Sequence, residues 1–325
     1  MSALAFTLLA LTLVGPVPAV LARASWPLRA PRAAIVLWQA IALAAVLSAF
    51  SAGIAIASRL FVPGPDGRPT ATVTSEIRVL GWPLWVLYVV VFTLTLFVGA
   101  RLCIAVVQVG IATRRRRAHH RQMVDLLSRS RDAIPSHLCT GRPHHPLDRG
   151  GLRILDVAQP LAYCLPGVRS RVVVSDGTLT TLSDDEIAAI LTHERAHLRA
   201  RHDLVLEMFI AVHAAFPRFV RSANALDAVR LLIELLADDA AVRTAGPTPL
   251  ARALVACANG RTPSGALAAG GPTTVIRVRR LAGKPNSLAL STAAYLAAGA
   301  VLVVPTVAVA LPWLTELRRL FIGSG

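Results

Sequence analysis

The sequence predicts a multi-pass α-helical membrane protein that carries a mainly α (α+β) domain with a small sheet. Of its 325 residues, 54% are hydrophobic, and the mean hydropathy of +0.58 is too high for an ordinary soluble protein. The apolar residues are concentrated in four long runs. Between the third and fourth runs, short apolar segments alternate with turn residues and amphipathic patterns, which is typical of a folded domain.

The four nearly uncharged runs are each long enough to cross a hydrocarbon core of about 30 Å as a helix. The first run could instead be a signal peptide, but it lacks a basic segment at its start and exceeds the usual apolar length of about 7–15 residues. We therefore interpret it as a span. The predicted organisation is three transmembrane helices within residues 1–112 (about 2–22, 33–58 and 83–111), a folded domain at 113–286, a fourth transmembrane helix at 287–314 and a short tail at 315–325.

Basic residues near the span ends predict the orientation in the membrane. They are frequent after the first span and at both ends of the folded domain, whereas residues 59–82 hold three arginines against two acids. This pattern places the folded domain in the cytoplasm and both chain termini outside, although Arg318 and Arg319 disagree with it. The basic residues that we assign to the cytoplasmic side include Arg23, Arg29, Arg32, Arg114 to Arg117, Arg277, Arg279, Arg280 and Lys284.

The net charge of +16 could suggest a nucleic-acid partner. Much of this charge flanks the spans, where it serves orientation and contact with anionic lipids. No basic surface interleaved with aromatic residues is recognisable. We therefore expect a lipid bilayer as partner and no direct nucleic-acid binding. Three of the four cysteines lie in the predicted cytoplasmic region, where reduced thiols are the default.

The folded domain opens with a basic helical stalk at 113–132 and a loop rich in proline, glycine and histidine. Its residues His137, Cys139, His144 and His145 fit no standard metal spacing, so we interpret them as part of a solvated loop.

Three short apolar segments then predict a small sheet: 152–157, 161–165 and 171–175. An exposed strand edge near a metal site could hold an extended peptide through main-chain hydrogen bonds, with Ala162 and Tyr163 as candidates. A purely structural sheet is equally compatible with the sequence.

Residues 193–197 form an HExxH motif. Ser183 opens a capping box, and the apolar residues that follow at helical spacing place the motif on the second and third turns of a helix. Because His193 and His197 are four residues apart, they lie on one helix face and can bind one ion. Glu194 can then reach water at that ion and act as a general base. The motif predicts a zinc peptidase site with one ion per chain.

A catalytic zinc site needs three protein ligands and one open position. Glu207 lies ten residues after His197 on or just beyond the same helix, so we do not expect it to turn back to the ion. Asp203 has the spacing of a metzincin-type third ligand, but those sites have a glycine where this chain has Ala200. We therefore expect Asp203 to support a ligand rather than to bind the ion.

Glu234 is the best candidate for the third ligand. It lies in an apolar stretch of a predicted helix at 223–244, where a carboxylate needs a partner. Asp238 follows one turn later on the same face. We expect it to accept a hydrogen bond from a ligating imidazole and so to fix the orientation of that ring.

Several parts of the chain point to one family: Ala162–Gly167, Val172–Val174, Leu191–His197, Arg201–Asp203 and Glu234–Asp238. They resemble the membrane zinc metallopeptidases typified by bacterial beta-lactam sensor-transducers, whose peptidase domain lies between spans three and four. The resemblance covers most of residues 1–312 in architecture.

This resemblance implies a gluzincin-type site in a bacterial inner-membrane protein, with His193, His197 and Glu234 on zinc and Glu194 as base. It also implies proteolysis of the protein itself or of a cytoplasmic transcriptional repressor. The sensor-transducers carry a penicillin-binding domain after span four, whereas here about a dozen residues follow, so we expect no antibiotic sensing. The motifs are also similar to heat-shock-type membrane quality-control proteases. The alternative outside the enzymes is a signalling scaffold, and an oligomer is compatible with either.

Overall fold

The computed structural model describes residues 2–57, 73–130, 151–216, 223–258, 267–268, 273–283 and 285–322. Its helices are α1 (Ser2–Val14), α2 (Pro16–Arg23), α3 (Pro31–Ala57), α4 (Val73–Leu80), α5 (Trp82–Leu127), α6 (Asp176–Thr181), α7 (Asp184–Arg199), α8 (His202–Ala215), α9 (Ala223–Ala245), α10 (Pro247–Ala256), α11 (Thr274–Leu281) and α12 (Leu288–Ile322). Its strands are β1 (Ser128–Ser130), β2 (Leu152–Leu155), β3 (Ala162–Leu165), β4 (Arg171–Ser175) and β5 (Leu267–Ala268).

Four helical stretches are long and apolar enough to cross a membrane, and each coincides with a predicted span. The first is divided into α1 and α2 at Pro16, because proline has no N–H with which to continue the hydrogen-bond ladder. Residues 315–322, which we expected to form a short tail, are part of α12, and the helix continues past Pro312 to Ile322. The four stretches are Leu4–Arg23, Pro31–Ile56, Trp82–Leu127 and Leu288–Val307.

α5 is one continuous helix of 46 residues that runs from the third long apolar stretch into the folded domain. The predicted basic stalk is its last part and ends at Leu127, where β1 follows. α8 packs along α5. At the end of α8, Nε of Arg101 donates a 2.5 Å hydrogen bond to the main-chain oxygen of Ala215. The apolar helix α8 therefore lies alongside α5.

The sheet has the strand order β1-β2-β4-β3-β5. β2 and β4 are parallel and the other neighbours are antiparallel. Side chains of β3 alternate between two faces, as strand geometry requires. Ala162 and Cys164 belong to the core formed with α7 and α10, whereas Tyr163 and Leu165 pack with Val124 of α5. The sheet is thus held between the end of α5 and α7.

α9 connects the folded domain to the long apolar helix α3. It packs against α7 on one side and α3 on the other. Ile233 and Leu235 of α9 share an apolar cluster with Trp38 and Ile41 of α3 and with Phe209 of α8. The folded domain is therefore packed directly on α3, and α9 carries Glu234 and Asp238 towards α7.

Candidate metal centre

α7 presents the HExxH motif on its buried face. Ser183 and Glu186 form the predicted capping box, which satisfies free N–H groups at the start of the helix. His193 and His197 follow one turn apart, with 0% and 1% of their surface exposed. Their Nε2 atoms are 3.2 Å apart. Two ring nitrogens this close and away from water need a shared proton or a shared cation.

Glu234 reaches the same point from α9. Its Oε2 lies 3.4 Å from Nε2 of His193 and its Oε1 lies 3.6 Å from Nε2 of His197. Three ligand atoms arranged tetrahedrally at about 2.0–2.1 Å from one zinc ion would be separated by about 3.3 Å. The observed separations therefore fit one small divalent cation. Within the described ranges, this is the cluster of three such side chains whose ligand atoms converge closely enough to hold a metal.

Asp238 and Arg277 support these residues from behind. Oδ1 of Asp238, one turn after Glu234, lies 3.0 Å from Nδ1 of His193. Arg277 of α11 is 1% exposed, and it donates hydrogen bonds of 2.6 and 2.8 Å to the two oxygens of Asp238. Its Nη1 lies 3.0 Å from Oε2 of Glu234. We had assigned Arg277 to the basic flank of the fourth span, and the structure buries it in this centre instead.

His202 contacts the second histidine of the motif, where we had expected Asp203. Nδ1 of His202 is 3.0 Å from Nδ1 of His197, so one of the two rings donates a proton to the other. Arg201 has a left-handed conformation with φ of 51°. Ala200 and Arg201 separate the end of α7 from the start of α8, and the turn at Arg201 returns His202 towards His197.

The two acids that we weighed against Glu234 are bound elsewhere. Arg117 of α5 lies 3.1 Å from Oδ2 of Asp203 and 2.6 Å from Oε1 of Glu207. Asp203 and Glu207 therefore tie α8 to the stalk part of α5. Neither acid belongs to the cluster of converging ligand atoms found among the described residues.

Burial controls the proton affinities of Glu194 and of two histidines. Glu194 is fully buried, which raises its pKa to about 7. Neither of its carboxylate oxygens accepts a hydrogen bond of ordinary geometry from the described residues, and the weak thiol donor of Cys164 lies beside it. Burial lowers the pKa of His197 to about 3 and that of His202 to about 4. Both rings are thus neutral at pH 7. A histidine that binds a metal must be neutral, so this state suits His197 as a candidate ligand.

His193 behaves differently because two carboxylates face it. Burial acts to lower its pKa, but the contacts with Asp238 and Glu234 outweigh burial and raise that pKa to about 9. In the same way, burial acts to raise the pKa of Asp238, while Arg277 and His193 hold it well below its usual range. In the metal-free protein, His193 therefore carries a proton that a cation has to displace.

Ala162 and Tyr163, our candidates for an exposed substrate edge, are only 2% and 1% exposed. β4 pairs along one side of β3, and β5 pairs with Tyr163 and Cys164 on the other. The free edge of β3 is shorter than expected, because Leu267–Ala268 returns to the sheet from far along the chain. The hydroxyl of Tyr163 lies 3.1 Å from Nε2 of His120 on α5, so this side chain faces away from α7.

Sequence reasoning missed Arg277 and His202 as parts of the centre. A buried carboxylate such as Asp238 signals the need for a cation, but the sequence does not say which of many arginines supplies it. His202 could have been noticed as a further histidine five residues after His197, but we considered only the neighbouring Asp203. The loop residues His137, Cys139, His144 and His145 lie outside the described part of the chain.

Residues 151–284 match the model of peptidase family M48. The matched region contains β2 to β4, α7, α9 and α11, and thus every residue of the centre described above. No curated protein and no solved structure matches the chain. The family match supports a metallopeptidase, and the cluster of His193, His197 and Glu234 is a compatible metal site.

Proposed function

We propose, from the match of residues 151–284 to peptidase family M48, that this protein is an integral-membrane zinc-dependent endopeptidase of the gluzincin type. The observation that carries the proposal is the convergence of His193, His197 and Glu234 beside the buried Glu194. Separations of 3.2 to 3.6 Å among the ligand atoms suit a tetrahedral zinc site. The four long apolar helices support an integral-membrane location.

Each residue of the centre has a role in this proposal. His193, His197 and Glu234 hold one zinc ion, which when bound polarises a peptide carbonyl and lowers the pKa of water. Glu194 takes a proton from the attacking water on a carboxylate oxygen and delivers it to the nitrogen of the leaving amine. A pKa of about 7 suits both transfers near neutral pH. Asp238 orients His193 through Nδ1 of that ring.

The substrate in this proposal is a protein or peptide in the cytoplasm or the membrane, such as a transcriptional repressor or the protein itself. The domain at 113–286 is cytoplasmic in a bacterial inner membrane, which the arginine distribution and the resemblance to sensor-transducers support.

The variant Glu194→Gln tests the proposal. Glutamine cannot take up a proton but leaves the three ligands in place, so we expect normal zinc content and a loss of cleavage of about 100-fold or more. Asp185→Asn, exposed on the same helix, is the matched control and retains cleavage. Normal turnover by Glu194→Gln would contradict the mechanism.

Comparative proteomics of the wild-type strain and the Glu194→Gln strain then identifies the substrates. Accumulation of one protein in the Glu194→Gln strain would indicate a dedicated substrate such as a repressor, whereas accumulation of many would indicate quality control. If gently purified protein contains no zinc, and the proteome of the Glu194→Gln strain equals that of the wild type, a signalling scaffold would be favoured.

A further inference from the structure

A second site lies outside the metal centre, where the folded domain meets the spans. It is a cavity of about 210 Å³ with walls from three elements: the start of α3, the start of α12 and the C-terminal half of α9. Arg32, Ser291 and Arg243 represent these three elements in its lining. The cavity is therefore formed jointly by two membrane-spanning helices and the helix that carries Glu234.

The cavity has an excess of positive charge. Asp239, the carboxylate in its lining, is already neutralised, since its Oδ1 lies 2.7 Å from Nη1 of Arg280. Its Oδ2 accepts hydrogen bonds from Arg280 and from Asn286, of 3.1 and 2.9 Å. Arg32 and Arg243 are exposed, and neither forms an ion pair with a residue in the described part of the chain. Two guanidinium groups therefore remain available for an anion.

The cavity wall is fixed by bonds between elements. Nε of Arg280 donates a 2.6 Å hydrogen bond to the main-chain oxygen of Leu28, and the main-chain N–H of Ser287 donates to the oxygen of Arg29. These bonds join the connection before α3 to α11 and to the start of α12. The starts of α3 and α12, which carry Arg32 and Ser291, are thus held next to each other at one rim of the cavity.

The cavity also lies at a defined depth. The apolar stretches of α3 and α12 begin at Pro31 and Leu288, so the cavity is located where both spans enter the hydrocarbon, on the side of the folded domain. Trp26 packs there against Ala30 and Ala294, and tryptophan prefers the membrane interface. The anions found at this depth are lipid phosphates.

We propose that this cavity binds the headgroup of an anionic phospholipid, with its phosphate between Arg32 and Arg243. The proposal rests on the membrane location proposed above, but not on proteolysis. Basic pockets between spans bind anionic headgroups in this way. Ser291 lines the same space; its hydroxyl donates to the main-chain oxygen of Ser287, and its oxygen can still accept a hydrogen bond from a headgroup hydroxyl.

The test is binding of phosphatidylglycerol to the full-length protein in detergent, measured by native mass spectrometry with phosphatidylcholine as the neutral comparison. We expect Arg32→Gln and Arg243→Gln each to weaken binding of phosphatidylglycerol about fivefold and the double variant about thirtyfold. The matched control is Arg169→Gln with Arg252→Gln, which removes two exposed charges of the folded domain that do not line the cavity. This control retains binding, and phosphatidylcholine binds weakly to all the proteins.

Equal binding by the Gln double variant and the unaltered protein would overturn the proposal, and so would an equal loss in the control pair. Displacement of the lipid by millimolar inorganic phosphate would identify a site for soluble anions and overturn it too. Arg32→Lys with Arg243→Lys keeps the charge and is expected to retain most of the binding, and a loss as large as with glutamine would also count against the proposal. Cleavage does not enter this measurement, and alkaline extraction of membranes tests the membrane location separately.

Discussion

The side chain of Arg277 neutralises two carboxylates of the metal centre, Asp238 and Glu234. Replacing it with leucine would leave two largely buried carboxylates to share His193 as their remaining cationic partner. We expect Arg277→Leu to lower the free energy of unfolding by about 3–5 kcal/mol, measured from melting temperatures in detergent. Arg279→Leu changes an exposed arginine on the same helix, and we expect an effect of less than about 0.5 kcal/mol. Similar melting temperatures for the two variants would show that Arg277 has no such role.

Metal binding is expected to depend on pH through His193. Its folded pKa of about 9 lies above the ordinary value of 6.5, so the metal-free protein gains stability from this proton below about pH 6.5 and loses it as the pH rises through 9. Because a ligand must be unprotonated, zinc has to displace the proton. The affinity for zinc should therefore rise about tenfold per pH unit between pH 6.5 and 9.

Calorimetric titrations in buffers of different ionisation enthalpy measure this proton release directly. We expect close to one proton per zinc ion at pH 7 from His193. Asp238→Asn removes a carboxylate that faces this ring and should reduce the release. An affinity for zinc that is independent of pH would be inconsistent with the observed contacts of His193.

At the residue scale, the sequence pointed to the ligand cluster but not to its surroundings. His193 and His197 are related by helix periodicity, and Glu234 was conspicuous as a carboxylate among apolar neighbours. Local patterns were therefore sufficient to select all three as candidate ligands. Arg277 contacts Asp238 across 39 positions of the chain. In the sequence, Arg277 cannot be told apart from the arginines that flank the predicted spans, so its place in the metal centre is visible only in the fold.

The turn between α7 and α8 determines which side chain supports His197. Arg201 provides the change of direction, and His202 then meets His197. We expect His202→Ala to weaken zinc binding about 10- to 100-fold, because the ligating ring loses the contact that orients it. A competition titration with a chelator measures this. His119→Ala, an exposed histidine on α5, should leave the affinity unchanged, and an unchanged affinity for His202→Ala would exclude this role.

At the scale of elements, the helices were easier to predict than the sheet. α7 and α9 have local boundaries, a capping box in one case and Gly246-Pro247 after the other. β1 and β5 have no such signals, since three and two residues show no periodicity. They become strands only because β2 and β3 offer them free main-chain groups, and such non-local pairing is invisible in a local pattern.

At the scale of the whole molecule, the long apolar helix α3 and the folded domain share an apolar core. Phe209, Ile233 and Leu235 pack with residues of α3. We expect a fragment of residues 113–286 to aggregate without detergent, because removing the spans exposes side chains whose burial contributes about 1.5–3 kcal/mol each. Size-exclusion chromatography measures this against the full-length chain in detergent. A monodisperse soluble fragment would contradict the shared core.

The sequence separated the spans from the domain by composition but did not reveal that they pack together. An apolar helix face is equally suited to lipid, to another span or to a domain core, so hydropathy cannot choose among these partners. For the same reason, α8 could be recognised as an apolar helix, while its position along α5 became known only from the fold.

The uninterrupted length of α5 has a mechanical consequence. Its 46 residues form a rod of about 69 Å, at 1.5 Å per residue. Asp125 near its far end is clamped to Arg153 and Arg171 of the sheet. A rod without a hinge acts as a lever, so a lean of about 5° pivoting at Trp82 would shift the clamped end by about 6 Å. A slight tilt of α5 at its Trp82 end would thus cause a larger displacement at the sheet, which packs on the helix that carries His193 and His197.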